Sequence, residues 1–291
     1  MKTKDWLAFI GLSLAWGTSF FWIKIALEEV GPFLLVAYRI LFGLLALALV
    51  LLWTRPQWPR DRRSYIAMLI LGLTNTAVPF VLFSWAELHV DSAVASIFNS
   101  SMPLFTMVIA HVALSDDRLT RQRVLGLLVG FVGVVVLALR DTGGDVRMNL
   151  LAQGALLLAV LFYAGSTVFA RQTTKGIAPT VQAFVPLVMA DLVIWSAAQA
   201  AEAPLGLPQL PMTWVALLWM GVVGSCMAYL FYYYLLHSVG PTRLAMVTYM
   251  FPVVGVTMGV LFLNERLDAS LIIGALLVLL SLYIVNRPAR A

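Results

Sequence analysis

Charge is scarce in this sequence. Only 11% of its 291 residues are Asp, Glu, Lys or Arg, against about 25% in an ordinary soluble domain. With 62% apolar residues and a mean hydropathy of +0.93, that shortage excludes a water-soluble globule. Cysteine is nearly absent: the single Cys226 falls inside an apolar run and excludes a disulfide framework. The three histidines, His89, His111 and His237, lie near the ends of apolar runs and form no metal-ligand spacing with Cys226. No metal or other cofactor is expected. A Walker A motif is missing, which argues against direct use of ATP, and no Ser–His pair falls at one depth of the apolar runs. No polar stretch is long enough to form a soluble domain, a low-complexity tail or a long linker.

What the chain has instead is ten apolar stretches of about 20 residues, the length that spans a bilayer core as a helix. They cover residues 6–27, 32–53, 65–87, 91–114, 121–139, 149–170, 179–201, 212–236, 241–263 and 267–286. The alternation of a membrane β-barrel is lacking. The basic MKTKD start precedes a run too long for a signal peptide and without a small-residue cleavage site, so it reads as the first span. The expected fold is all-α, a polytopic membrane protein of ten transmembrane helices.

The net charge of +5 does not point to nucleic acid, because its distribution follows topology. With the N-terminus in the cytoplasm, the inner segments hold fourteen Lys and Arg, among them Arg55, Arg118, Arg171, Arg243, Arg287 and Arg290. The outer loops hold three, Arg140, Arg147 and Arg266. This positive-inside bias places both termini in the cytoplasm.

The sequence also repeats. At an offset of 147 residues Trp16 meets Tyr163, Ser19 meets Ser166, Lys24 meets Arg171 and Pro32 meets Pro179. At 149, Gly72, Trp85 and Pro103 meet Gly221, Tyr234 and Pro252; at 148, Asp117, Arg118, Leu119 and Gly126 meet Glu265, Arg266, Leu267 and Gly274. Five spans per copy is an odd number, so the second copy enters the membrane from the other side, the inverted-topology repeat of secondary transporters. The boundaries are 1–140 for the first five-helix repeat and 149–291 for the second, with residues 141–148 as an outer linker, all in one membrane domain.

Several motifs carry a resemblance to a known family. AWGTSFFWIK in the first helix, the Tyr38–Arg39 pair in the second, Pro103 with the DDRL that follows the fourth, and the ending FPVVGVTMGVLFLNERLDASLIIGALLVLLSLYI resemble the EamA-type exporters of the drug/metabolite transporter superfamily. The resemblance spans essentially the whole chain. It implies an inner-membrane carrier that exports amino acids or other small metabolites by alternating access through a central cavity. Within the family the chain is similar to the aromatic amino-acid exporters; a multidrug or organic-cation exporter of the same fold is the alternative. The partners so implied are a small-molecule substrate and the lipid bilayer, not nucleic acid, for a monomer or weak dimer. Enzyme and channel are the competing classes. The D-x-x-x-D of DTGGD, residues 141–145, reads as a solvated turn because it is a single copy in a short loop. A channel is disfavoured by the lack of a charged ring.

Polar residues inside spans are the candidate site. Trp16 and Ser19 share a helix face, as do their counterparts Tyr163 and Ser166, and either line a cavity or mediate helix packing. Pro79, Pro103, Pro186 and Pro252 each free the carbonyl four residues earlier, at Asn75, Asn99, Gln182 and Thr248, all polar. Such groups must face protein or water, which marks them as pathway-lining and the prolines as candidate hinges. A charge at mid-bilayer costs roughly 2.5–3.5 kcal/mol. Lys24 snorkels near a span end one turn before Glu28, whereas Arg39, deeper, either binds a substrate carboxylate or reaches toward Glu87 or Asp91. Asp191, near mid-depth and matched by Leu44 in the first copy, is the candidate proton carrier, or else a protonated acid bonded to a neighbouring helix. Tyr229 and Tyr233 share a face and can stack on a flat substrate or hold a cation, with Tyr249 on the next helix; packing is the competing reading. Gly126–Gly130 and Gly255–Gly259 are weak signals for tight helix packing, and spans 5 and 10 read as supports.

Overall fold

The computed structural model describes residues 2–113, 120–139, 145–239, 244 and 246–286. The DDRL segment, Arg140, residues 141–144 of DTGGD, Arg243, Arg287, Arg290 and the side chain of His237 lie outside the described residues. Within them there is no β-strand, and the chain forms ten helices. The first half holds α1 (Thr3–Leu27), α2 (Pro32–Thr54), α3 (Arg62–Ala86), α4 (Ser92–Ala113) and α5 (Arg121–Ala138). The second holds α6 (Val146–Thr173), α7 (Pro179–Glu202), α8 (Pro211–Leu235), α9 (Val247–Phe262) and α10 (Ala269–Asn286). Seven of these, α1 to α4 and α6 to α8, are long and apolar enough to cross a membrane by length and composition; α9 and α10 are shorter apolar helices. The outward faces are apolar, with Leu49, Phe131, Leu192 and Leu261 exposed and Trp53 93% exposed. Such a surface suits lipid and not water.

The two halves are interleaved. α1 packs on α8 and α9, and its counterpart α6 packs on α3 and α4; α2 lies against α7, and α5 against α10. The first helix of each half thus completes the core of the other. Small residues set the closest crossings, as membrane helices require. A Cβ on Gly221 of α8 would strike Phe42 and come within 2.9 Å of the Arg39 carbonyl on α2. A Cβ on Gly133 of α5 would lie 3.0 Å from the Gly274 carbonyl on α10. Spans 5 and 10 therefore form one tight pair, with Gly126 and Gly130 against Val285 and Ser281. Gly255 instead sits over Ser96, and Gly259 makes room for Glu265.

Irregular turns recur at matching places in the two halves. A π-helical turn interrupts α3 at Leu73–Ala77 and α8 at Trp219–Met227. α4 breaks at Ser101 between Ser92–Ser100 and Met102–Ala113, and α9 begins with a 3-10 turn, Met246–Tyr249. Pro79, Pro103 and Pro252 stand just after three of these irregularities, in line with the loss of a helical donor at each. Pro186 lies inside the continuous α7, and the longest π-helical turn, in α8, contains no proline.

Carboxylates lock one end of the bundle, called here the Glu29 end. The first N–H groups of a helix lack intrahelical acceptors and carry partial positive charge. Glu202, ending α7, accepts from Phe33 and Leu34 N–H at 2.9 and 2.8 Å at the start of α2. Glu265 accepts from Ser92 and Ala93 N–H at 2.7 and 3.0 Å at the start of α4. Glu29 accepts from Gln209 and Leu210 N–H before α8, and these bonds hold its carboxyl below the usual range. All three carboxylates join one half to the other.

Packing at the α2–α8 crossing leads to a direct test. Gly221→Leu overfills it, at a cost of about 1–3 kcal/mol, whereas Gly154, with nothing within 4 Å of a Cβ, accepts leucine freely. Thermal unfolding in detergent is expected to show a lowered midpoint for Gly221→Leu and an unchanged one for Gly154→Leu.

Candidate substrate site

An aromatic and polar cluster occupies the middle of the bundle, where α1, α2, α3, α6, α8 and α9 meet. Trp16 donates from Nε1 to the Gly224 carbonyl at 3.1 Å, so the indole is held by the π-helical turn of α8. Its ring lies 6.1 Å from Tyr229, 5.6 Å from Tyr232 and 6.4 Å from Phe251. Phe251 continues to Phe20 at 6.3 Å, Phe20 to Phe83 at 5.8 Å, and Phe83 to Tyr163 at 6.0 Å in a stacked geometry. Trp16 and Tyr163, repeat counterparts, therefore sit at the two ends of one aromatic chain. Edge-to-face and offset contacts of this kind favour aromatic partners over aliphatic ones.

Arg39 is the one basic side chain of the sequence reading that penetrates this cluster. It is 4% exposed, with its guanidinium 3.8 Å above the Phe80 ring and Nε donating to Ser225 Oγ at 3.4 Å. It does not snorkel to water. A cation over an aromatic face is stabilised more strongly when desolvated, which compensates part of the burial. The Tyr163 and Tyr229 hydroxyls and the Glu87 carboxylate lie close enough to interact with its charge. Gly224 leaves its Cβ space open between Ser19 Oγ and Arg39 Nη2, which a Cβ would meet at 3.3 and 3.7 Å.

The other expected site residues divide between this cluster, which includes Ser19, and more distant places. Ser19 is buried and turns its hydroxyl back to the Ala15 carbonyl at 2.9 Å. Ser166 donates to Thr74 Oγ1 at 2.8 Å, which ties α6 to the π-helical turn of α3. Tyr38 belongs to a separate aromatic group with Phe42, Trp195 and Trp214. Gln182 bonds the Thr174 and Ile177 carbonyls at 3.0 and 2.7 Å and so secures the turn before α7 at the opposite end. Tyr249 packs at the edge of the central core. Asp191 has an enclosed Oδ1 without a hydrogen-bond partner among the described residues, beside the exposed Leu192 and Val193. Lys24 turns away from Glu28 and donates to the Glu87 main-chain carbonyl at 2.5 Å.

The freed carbonyls before the prolines find hydroxyl donors on other helices. Tyr233 Oη donates to Gln182 O at 3.3 Å, Ser100 Oγ to Thr248 O at 3.0 Å, and Tyr229 Oη reaches Asn75 O at a long 3.5 Å. Tyr229 also shares a 3.3 Å contact with Thr76 Oγ1. Asn99 differs, since its side-chain Oδ1 is enclosed and unpartnered among the described residues. Phe83, Phe251 and the Ser225–Gly224 turn are not singled out by the sequence. Their signal was weak: aromatic and small residues are ordinary in apolar spans, and only the convergence of distant helices gives them a role.

The interleaved helices, among the described residues, form the bundle of a polytopic membrane protein with a polar, aromatic centre. The chain belongs to the EamA-like transporter family, whose profile matches residues 4–139 and again residues 150–287. An uncharacterised transporter of Archaeoglobus fulgidus is 24% identical over 98% of this chain and 99% of its own length. The uncharacterised inner membrane transporter YedA of Escherichia coli K12 is 25% identical over 87% of this chain and 80% of its own. A Salmonella typhimurium protein named "Probable amino-acid metabolite efflux pump" is 26% identical over 100% of this chain and 99% of its own. One solved crystal structure superposes with a TM-score of 0.70 over 98% of this chain and 97% of that one, at 21% identity. At that identity the likeness shows the fold alone.

The hydroxyl donors separate into strong and weak. Tyr233→Phe leaves the buried Gln182 carbonyl without its donor, which costs about 1–3 kcal/mol, whereas Tyr229→Phe gives up a long contact to the Asn75 carbonyl and a contact with the Thr76 hydroxyl, which can turn to the backbone of its own helix. Thermal unfolding is expected to show the larger fall for Tyr233→Phe; equal falls would contradict the assignment.

Proposed function

We propose that this transporter exports small metabolites, amino acids with aromatic or other apolar side chains first among them, across the inner membrane by alternating access. The observation that carries the reading is the buried Arg39 guanidinium beside the Trp16–Tyr229 aromatic group. A guanidinium pairs with a carboxylate through directed, charge-assisted bonds, and a ring pair accepts a flat apolar body. An amino acid offers both. The name of the Salmonella typhimurium relative points to the same substrate class. The two repeats, residues 1–140 and 149–291, would rock about the central cluster, with the linker 141–148 and both termini on opposite sides and the termini cytoplasmic. The pathway would take in Asn99 and Thr248, at the interruptions of α4 and α9, with Pro103 and Pro252 as hinges; Pro79 would serve α3 and Pro186 α7 in the same way. An organic-cation exporter of the same fold is the second reading. The Trp16–Tyr229–Tyr232 group favours it, and the Arg39 charge opposes it.

Release of labelled phenylalanine, tryptophan and threonine from proteoliposomes, with and without a pH gradient, tests the proposal. Release above that of empty liposomes is expected for at least the aromatic pair. It should fall at least tenfold in Trp16→Ala and in Arg39→Leu. No release of any of the three removes the amino-acid reading and turns the search to organic cations.

A further inference from the structure

Glu87 is a buried carboxylate at the Glu29 end that caps no helix among the described residues. It follows Ala86, the last residue of α3, and is only 1% exposed. Both of its carboxylate oxygens are enclosed and accept no hydrogen bond among the described residues. At the same end Glu202 and Glu265 each take two backbone N–H donors; Glu87 takes none among the described residues. An ionised carboxylate without donors, removed from water, costs several kcal/mol even after relaxation, whereas the neutral acid costs far less.

The charged groups around it do not remove that cost. Lys24 on α1 is the nearest cation in effect, yet its ammonium is committed to the Glu87 main-chain carbonyl. Arg39 on α2 acts from further away and is engaged with Phe80 and Ser225. Glu265, before α10, adds like charge. On its own turn, His89 packs its ring edge-on to Trp85, and Asp91 follows. Burial dominates this set and pushes the Glu87 carboxyl well above the usual range.

We propose that the Glu87 carboxyl is a proton-binding site of the carrier, occupied in this closed bundle and emptied to water when the Glu29 end opens. Opening breaks the staples of Glu29, Glu202 and Glu265 and admits solvent. The proton then leaves to the aqueous phase and the carboxylate remains, free to pair with the Lys24 ammonium. Closing again encloses the carboxyl where it accepts no hydrogen bond among the described residues, so the carboxylate must first take up one proton from the same aqueous phase. Protonation is thereby tied to the relative position of α1 and α3: the proton released on opening is taken up again from the same phase before closing, so the pH on that side sets how readily the closed form returns. The inference rests on the transporter reading and deepens it by adding a proton-dependent closing step at Glu87.

Proton binding can be read without a substrate. Infrared titration of the protein in nanodiscs is expected to show a protonated-carboxyl stretch at neutral pH that vanishes in Glu87→Gln and persists in Asp191→Asn. In Glu87→Asp, a second variant should Glu87→Gln fail to fold, the band is expected to move instead of vanishing. The same band in wild type and Glu87→Gln, or an unmoved band in Glu87→Asp, overturns the site. Stability gives the sign independently: a raised acid stabilises the fold fully below its ordinary value of 4.5 and loses that contribution as pH rises through the folded-state value. The wild-type melting point should therefore decline across that window, and the Glu87→Gln profile should be flat; parallel profiles contradict the proposal. In proteoliposomes a change of pH on the Glu29 side should alter wild-type efflux several-fold and leave Glu87→Gln unaffected, with equal responses ruling out a closing step gated by this residue. An absence of efflux for every amino acid would count against the substrate class while leaving the infrared result intact.

Discussion

The pairing of glutamate carboxylates with helix N-termini across the two halves is the constraint on which the rest of the bundle depends. In a bilayer the halves gain little from burying apolar surface against each other, because lipid is as apolar as leucine. Specific polar bonds then carry much of the registration. Glu202 fixes where α2 starts, Glu265 fixes α4, and Glu29 fixes α8. Each uses N–H groups that a helix cannot satisfy itself. Gly31 and Gly259 leave the space for the Glu202 and Glu265 carboxylates, which a Cβ at either position would invade.

With that end fixed, the centre can be irregular without coming apart. The π-helical turns of α3 and α8 and the breaks in α4 and α9 expose carbonyls and rotate side chains inward. Hydroxyls from Tyr233 and Ser100 meet two of the freed carbonyls, and the Trp16 indole meets Gly224. A buried guanidinium is tolerable there because Phe80, Ser225 and the surrounding tyrosines provide cation–π and polar contacts. These irregular turns are also where a helix bends most easily. The bonds that hold the closed form and the places that can flex are therefore at different depths, as a carrier that rocks about a central site needs.

Much of this was legible in the sequence. Hydropathy gave the helices to within a few residues, and the Trp16–Tyr163 and Ser19–Ser166 matches pointed to the duplicated halves. The central positions of Trp16 and Arg39 followed from their depth in apolar runs. Other placements needed three dimensions. Glu87, Glu202 and Glu265 sit at span ends, where a charged residue is expected to face water, and the staple partners are 168 to 173 residues away in the chain. The π-helical turn of α8 has no proline to announce it. Gln182 reads as a pathway-lining group beside Pro186 and Tyr38 as half of the Tyr38–Arg39 pair, yet local geometry sends one to a turn and the other to a peripheral aromatic group. Polarity within a span reports that a group must be satisfied; it does not say by which neighbour.

The central claim is that the Trp16–Ser19–Arg39 cluster lies on a path opened alternately to the two sides of the membrane. Cys226 is buried and is the only cysteine, so Ser19→Cys on a Cys226→Ser background gives a single reporter. Its labelling by a membrane-impermeant thiol reagent, applied from each side with and without substrate, is the most direct measurement. Alternating access predicts that substrate shifts labelling from one side to the other, with slower labelling on one side whenever it is faster on the other. Rapid labelling from both sides at once would indicate a pore, and protection from both sides under every condition would place the cluster off the pathway.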